Sequence, residues 1–181
     1  MAGLTAPEPS VAELTQKERL QPSLLDRLTD DEPEKKSESR DKRVFSLSRL
    51  REVVQRDLAW LFNTTNLASA QSLDRYPEVA RSVLNYGLPD VAGITLSSTN
   101  VIEFERALRQ AVLDFEPRIL SDSLRVRLVV DQNLMNHNAM AFDIEGELWA
   151  QPMPLQMYLR TEVDLELGDV RVVQYAGKGS A

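Results

Sequence analysis

Apolar residues recur at three- and four-residue steps in the first half of the chain, which is the spacing of amphipathic helices. The first stripe predicts a helix over residues 48–62, which the polar segment at residues 63–66 ends. Its apolar positions are Leu47, Leu50, Val53, Val54, Leu58, Trp60 and Leu61. A second, shorter helix is predicted over residues 76–85, because Pro77 suits a first helical turn and Gly87 suits the left-handed position after a helix.

The third predicted helix has the clearest boundaries. Asn100 and Glu103 have the spacing of a capping box, which places the helix start at Asn100. Pro117 ends the helix at or near Glu116, because the residue before a proline avoids helical backbone angles. The apolar stripe between these points is Val101, Phe104, Leu108, Ala111, Val112 and Phe115.

The period changes to two in the last third of the chain, which indicates strands. Strands are predicted around residues 126–130, 140–148, 155–167 and 170–175, with a possible bulge at Gly146 and a tight turn at Gly168 and Asp169. Helices followed by a strand meander indicate an α+β fold. We therefore expect N-terminal helices packed on a C-terminal, mostly antiparallel sheet of three to four strands.

The N-terminal region, residues 1–43, has a different composition. Three prolines lie among Ser, Thr, Glu and Gln before residue 23, and residues 29–43 are almost wholly charged. We predict a flexible arm with a charged linker, then an α+β domain at residues 44–176 and a frayed tail at 177–181. Within the arm, the apolar residues Leu24, Leu25 and Leu28 suit either a short docking motif or a segment that covers part of the domain.

Composition narrows the function class. The 181 residues are 43% hydrophobic and carry a net charge of −7, with no cysteine. A buried core is therefore possible, whereas disulfides and thiolate sites are excluded. A nucleic-acid-binding protein usually carries a basic surplus, so we expect no nucleic-acid partner. We also expect no secretory signal, no direct membrane insertion and a cytoplasmic location.

The search for catalytic chemistry finds no convincing constellation, so we expect a structural protein without enzymatic activity, metal or cofactor. The single histidine, His137, cannot form a multi-histidine metal site, and no glycine-rich phosphate loop is present. Glu116 with Asp114 or Asp122 is conceivable as the carboxylate pair of a glycoside hydrolase. However, both tryptophans, which would have to supply a sugar platform, lie in core-like patterns.

The segment Glu116-Pro117-Arg118 fixes two opposite charges on either side of a rigid proline. Arg118 is able to present a bidentate fork to a partner, and Glu116 is able to accept from amides or arginine. The alternative is a helix stop with an internal ion pair. From the residues alone, that alternative is somewhat favoured.

Four segments in order resemble the GPW/TssE family, which includes TssE of the type VI secretion baseplate and the matching wedge protein of contractile phage tails. They are LLDRL at residues 24–28, SVLNYGLPD at 82–90, DFEPRI at 114–119 and FDIEGEL at 142–148. The resemblance extends over about residues 24–175, and it assigns no role to the charged linker at residues 29–43, which lies between motifs.

This resemblance implies a structural role in the baseplate, between the wedge and the first sheath ring. The implied partners are the baseplate proteins TssF, TssG and TssK and the sheath protein TssC with TssB. Glu116, Pro117 and Arg118 correspond to the contact with the wedge core, and the open sheet is expected to accept sheath strands. Two other hypotheses remain open: a lysozyme-like, peptidoglycan-hydrolysing enzyme, and a free-standing binding module that docks through Leu24, Leu25 and Leu28.

Overall fold

The computed structural model describes residues 23–29, 34, 46–92, 98–129, 139–150 and 153–175. The chain divides between Ser46 and Leu47 into two units. Most of the predicted arm and linker and the predicted C-terminal tail lie outside the described residues.

The described part of the first unit contains one short helix, α1, at Leu24–Leu28. Ser23 caps its first turn by accepting a hydrogen bond from the backbone N–H of Asp26 at 3.3 Å, and the Ser23 hydroxyl donates to the Asp26 carboxylate. The Ser23 side chain is therefore an N-cap of α1, and the Asp26 carboxylate orients its hydroxyl. At the other end, the backbone N–H of Thr29 donates to the Leu25 carbonyl at 3.0 Å.

Two long helices dominate the second unit: α2 at Leu47–Phe62 and α4 at Ser98–Phe115. The prediction for α2 is confirmed, whereas α4 begins two residues before Asn100, so the predicted cap at that residue is wrong. The last helical hydrogen bond of α4 joins the N–H of Glu116 to the Val112 carbonyl at 2.9 Å. The helix therefore ends immediately before Glu116 and Pro117, as predicted from the proline.

The predicted second helix is interrupted. Only α3, Pro77–Ala80, is helical, and a separate 3-10 turn follows at Val83–Asn85. The hydroxyl of Ser82 accepts from the N–H of Leu84 at 3.2 Å and starts the new turn. A serine that bonds nearby backbone in this way competes with helix continuation.

The sheet contains β1 (Arg125–Val129), β2 (Ala139–Leu148), β3 (Leu155–Asp164) and β4 (Val170–Gln174). Its order is β1-β2-β3-β4, and each neighbouring pair is antiparallel. The pairing of β2 with β3 is continuous through Gly146, so no bulge lies there. Instead, a Cβ at Gly146 would come within 3.1 Å of the Ile119 side chain, so the glycine makes room for close packing.

The core lies between the helices and one face of this sheet. Helix α2 packs against β3 and β4, and α4 packs against β1. This arrangement confirms the predicted α+β fold. In the part of the chain that is described, no helix is both long and apolar enough to span a bilayer. The largest fully buried side chains are Phe142, Leu58, Leu61, Leu108, Ile144, Leu148, Met157, Leu159 and Leu165.

Candidate functional site

The Glu116-Pro117-Arg118 segment lies where the last helix meets the sheet. A turn bond joins the N–H of Ile119 to the Glu116 carbonyl at 3.1 Å. The carbonyl of Arg118 then accepts from the N–H of Trp149 at 2.7 Å, immediately after β2, and Ile119 forms an antiparallel bridge with Leu148. The segment is thus fixed to α4 on one side and to the end of β2 on the other.

Glu116 and Arg118 form an ion pair within this bend. The Nε of Arg118 donates to the Oε1 of Glu116 at 2.6 Å, and its Nη2 donates to the Oε2 at 2.5 Å. The backbone N–H of Arg118 adds a third hydrogen bond, at 3.1 Å to Oε1. Glu116 is only 4% exposed, whereas the Arg118 side chain is 27% exposed. The buried carboxylate therefore fixes the orientation of the Arg118 side chain, which stays partly exposed.

Helix α2 supplies a second carboxylate to the same arginine. The Nη2 of Arg118 donates to the Oδ2 of Asp57 at 2.6 Å, and the Oδ1 of Asp57 accepts from Arg56 at 2.7 and 2.9 Å. The guanidinium of Arg56 in turn lies 4.8 Å from the ring centroid of Trp60, in a cation–π arrangement. The ion cluster, defined as Arg56, Asp57, Glu116 and Arg118, therefore joins α2 to the bend.

The carboxylates of Glu116 and Asp57 favour the charged form of Arg118. Burial lowers the pKa of its guanidinium, but the hydrogen bonds and charges of Glu116, followed by those of Asp57, reverse this effect and leave the pKa raised. Burial together with the charges of Asp57 and Glu116 also raises the pKa of Tyr86. Both shifts favour the protonated forms, which are the charged guanidinium of Arg118 and the neutral phenol of Tyr86.

The Asn85-Tyr86-Gly87 segment supports the bend. The ring of Tyr86 packs edge-on against Phe115, the last residue of α4, with centroids 5.2 Å apart. Gly87 has φ +122°, and a Cβ there would lie 2.2 Å from the backbone oxygen of Thr64. Only glycine permits this approach, through which the N–H of Leu88 reaches the Thr64 carbonyl at 2.8 Å.

Both tryptophans lie beside the ion cluster, and the expectation that they are core residues is wrong. Trp60 is 51% exposed and Trp149 is 53% exposed. Trp60 stacks with Arg56, and Trp149 is hydrogen-bonded through its backbone to Arg118. Trp60 falls on the margin of the α2 stripe and Trp149 follows the last residue of β2, so hydrophobic periodicity does not distinguish these positions from buried ones.

The conceivable hydrolase pair is not assembled as an acid and a base. Both oxygens of Glu116 are engaged by Arg118, so neither is available to protonate a leaving group. Asp114 accepts from Gln110 at 2.9 Å and lies 3.7 Å from Arg81. Over the described ranges, no cluster of carboxylates or histidines has the geometry of a metal site, and His137 lies outside them.

The three leucines of the predicted docking motif lie on α1 in the first unit. Leu24, Leu25 and Leu28 are all exposed. Leu24 and Leu28 are four residues apart, so they share one side of the helix. Their role in docking stays a prediction.

A second, part-buried ion pair lies in the sheet and was not predicted. Arg160 of β3 is directly opposite Asp143 of β2, and its Nε and Nη2 donate to the two carboxylate oxygens at 2.7 and 3.1 Å. The guanidinium of Arg160 also lies 5.1 Å from the ring centroid of Tyr175. This pair resembles Glu116 and Arg118 in geometry but lies away from the bend in the sequence, and it offers a matched comparison.

Comparisons with known proteins bear on the second unit. The sequence model of the family described as "Baseplate wedge protein gp25" matches residues 48–153. No curated protein matches the chain significantly. Among solved structures, the chain is similar to a Geobacter sulfurreducens protein described as a tail lysozyme, with 14% identity, a TM-score of 0.42, and coverage of 75% of this chain and 100% of that one.

Proposed function

Because this chain belongs to the baseplate wedge protein gp25 family, which has a structural role in the baseplate, we propose that it is a structural component of a type VI secretion baseplate. In this proposal it joins the wedge complex to the first ring of the contractile sheath and helps to start sheath polymerisation. It acts through contacts and not through catalysis. It works in the cytoplasm, at the membrane-docked baseplate.

The ion cluster between the two exposed tryptophans is the observation that carries the proposal. Arginine and tryptophan are the residue types most enriched among those that dominate the free energy of protein–protein binding. Glu116 and Asp57 hold the guanidinium of Arg118 in one orientation before a partner arrives. A side chain that is already ordered loses less conformational entropy on binding than a free arginine would.

The partner proposed for this surface is the wedge formed by TssF and TssG, with TssK in the same baseplate. No hydrogen bond from the Nη1 of Arg118 lies within the described residues, so its N–H groups are available to a carbonyl or carboxylate of the partner. Apolar side chains of the partner would pack on Trp60 and Trp149. Glu116 is nearly buried, so in this proposal it positions Arg118 and does not itself form the contact.

The sheet is proposed as the contact with the sheath protein TssC and its companion TssB. Four strands in a simple antiparallel meander leave two edge strands, β1 and β4. An edge strand offers unpaired backbone groups to a strand from another chain. Sheath growth would then begin by strand addition to this protein.

The experiment compares two variants that each remove one internal ion pair. Glu116→Gln with Arg118→Gln removes the pair at the bend, and Asp143→Asn with Arg160→Gln removes the pair in the sheet. Both proteins should remain folded, by circular dichroism and thermal unfolding, because neither leaves a single buried charge unpaired. Only the first should lose capture by a tagged TssF–TssG complex. Equal capture of wild type and both variants would refute the proposed wedge contact.

A further inference from the structure

The two edge strands of the sheet differ in how many of their outward backbone groups are occupied. In β4, Val170 and Val172 direct backbone groups away from β3, because these groups bond the side chains of Asn63 and Gln55. The side chain of Asn63, just after α2, bonds both outward groups of Val170, at 2.7 and 2.8 Å. Gln55 of α2 donates to the outward carbonyl of Val172 at 2.9 Å. Side chains from α2 and the residue after it therefore occupy three backbone groups of the β4 edge.

The β1 edge is much more open. Its outward positions are Val126 and Leu128, because the N–H of Leu128 donates to the Glu105 carboxylate of α4 at 3.2 Å and not to β2. Leu128 is 37% exposed. Within the described parts of the chain, no other hydrogen bond reaches the outward groups of Val126 and Leu128. One carboxylate thus occupies one donor of this edge.

The side chains of β1 indicate what kind of strand would fit beside it. Arg125 and Arg127 are exposed and point to the face opposite the core-facing Val126. Within the described residues neither forms an ion pair: the carboxylate opposite Arg127, Asp143, is held by Arg160, and Glu145, opposite Arg125, accepts from Tyr175. Two arginines on an edge strand therefore have no ion-pair partner among the described residues.

We infer that β1 is the edge to which a strand from another chain is added, and that this strand alternates acidic and apolar residues. Acidic side chains would lie opposite Arg125 and Arg127, and apolar side chains would extend the surface of Val126 and Leu128. Opposite charges on neighbouring strands stabilise the pairing, whereas like charges oppose it. A second copy of this chain is disfavoured, because antiparallel pairing of β1 with itself would bring arginines against arginines.

This inference rests on the proposed function, because the incoming strand is assigned to the sheath protein. Beyond that function, it identifies β1 as the edge that binds the strand. The carboxylate of Glu105 has to leave the N–H of Leu128 when the new strand binds. That N–H is then available to a carbonyl of the incoming backbone. Glu105 therefore protects the edge before assembly, in the way that charged side chains commonly protect exposed strands.

The test uses the full chain and the TssB–TssC sheath complex, with hydrogen–deuterium exchange to locate contact. The amide of Val126 should become protected on binding, the amide of Leu128 should gain protection when it exchanges Glu105 for the new strand, and the amides of β4 should not change. Leu128→Pro removes an outward N–H without removing a bond to β2, and it should abolish binding. Arg125→Glu with Arg127→Glu should weaken binding roughly tenfold or more, and Arg171→Glu on β4 serves as the matched control that should bind normally.

Three outcomes are informative. Loss of sheath binding in both β1 variants, with capture by TssF–TssG intact, supports the inference. Sheath binding that survives in both variants, or protection confined to β4, overturns the inference and leaves the proposed connection to the sheath in place. If the wild-type chain binds no sheath complex, the proposed sheath connection is wrong, and the assignment of β1 falls with it. Binding should also weaken several-fold as salt rises from about 0.1 to about 1 M.

Discussion

Arg118 is held by two carboxylates from different elements, and one of them is almost fully buried. Glu116 accepts three hydrogen bonds from this residue, while Asp57 accepts one from the Nη2 that also donates to Glu116. Breaking a buried pair by removing one partner is costly, because the remaining charge has lost its counter-charge and is still shielded from water. Glu116 and Arg118 therefore contribute differently to the stability of the fold and to the recognition of a partner.

Arg118→Ala should lower the free energy of unfolding by about 1–3 kcal/mol, because the buried carboxylate of Glu116 is left without its charged partner. Adding Glu116→Gln should recover part of that loss, since a neutral amide is cheaper to bury than a carboxylate. Urea denaturation of the two single variants and the double variant measures this coupling. Arg56→Ala, at the exposed end of the same cluster, is the control and should cost less. Strictly additive effects would contradict the pairing.

Tyr175 gives the molecule a predicted sensitivity to alkaline pH. Burial, the charges of Asp143 and Glu145 and the hydrogen bond to Glu145 raise its pKa to about 12. A tyrosine in the unfolded chain titrates near 10, so the unfolded state loses its proton first. The contribution is fully present below about pH 10 and is lost as the pH rises towards 12. The pKa of Tyr86 is also raised.

Thermal unfolding from about pH 9 to about pH 11.5 measures this loss. Tyr175→Phe should make the decline in melting temperature shallower, because the phenylalanine has no proton to release. Tyr76→Phe removes an exposed tyrosine and should leave the slope unchanged. Equal slopes for the wild type and Tyr175→Phe would show that this side chain is not the source.

The sequence identifies Glu116 and Arg118 but not the residues that surround them. A rigid proline between opposite charges is visible in three adjacent letters. Asp57 is 61 residues away from Arg118, and nothing in an amphipathic helix distinguishes it from other polar positions. The exposed tryptophans are missed because hydrophobicity scales treat a binding residue and a core residue alike. Whether a tryptophan is exposed depends on which helices and strands lie beside it in the fold.

The boundaries of helices and strands follow local hydrogen bonding more closely than they follow the apolar pattern. The sequence predicts β3 as far as Leu167, but the strand ends at Asp164, whose carboxylate accepts from the N–H groups of Glu166 and Leu167 at 2.8 and 3.0 Å. Leu165 stays buried, whereas Leu167 is exposed. Side-chain-to-backbone bonds of this kind compete with strands and helices and leave little trace in the hydrophobic period.

The backbone conformation at Gly87 requires glycine. Gly87→Ala should lower the free energy of unfolding by more than about 1 kcal/mol, because the positive φ is strained for alanine and the Cβ would meet the backbone of Thr64. Gly168→Ala is the matched control: its φ is +78°, but the nearest atom would be 3.6 Å away. Denaturant unfolding should show a larger loss at Gly87. A smaller loss there would contradict the close approach.

The two proposed contacts lie in different parts of the second unit. The ion cluster lies at the bend between α4 and the end of β2, and the open edge lies on β1, the strand that follows the bend in the sequence. Helix α2 contributes to both arrangements, because Asp57 holds Arg118 while Gln55 covers β4. The same helix therefore orders one contact and leaves β1 as the more accessible edge. The helix and strand order is predictable from the sequence; this division of roles depends on side-chain contacts across the fold.

A chain that lacks residues 1–43 should fold with an unchanged melting temperature. The reason is that the described hydrophobic core extends from Leu50 to Val172 and takes no residue from the first unit. If Leu24, Leu25 and Leu28 form a docking motif, the truncated chain should bind its baseplate partners more weakly, and Leu24→Asp with Leu28→Asp in the full chain should reproduce that loss. Capture by TssF–TssG and TssB–TssC measures both variants against the wild type. A fall in melting temperature on truncation would favour the alternative, in which these leucines cover the domain. Full binding by a stable truncated chain would show that the arm is dispensable.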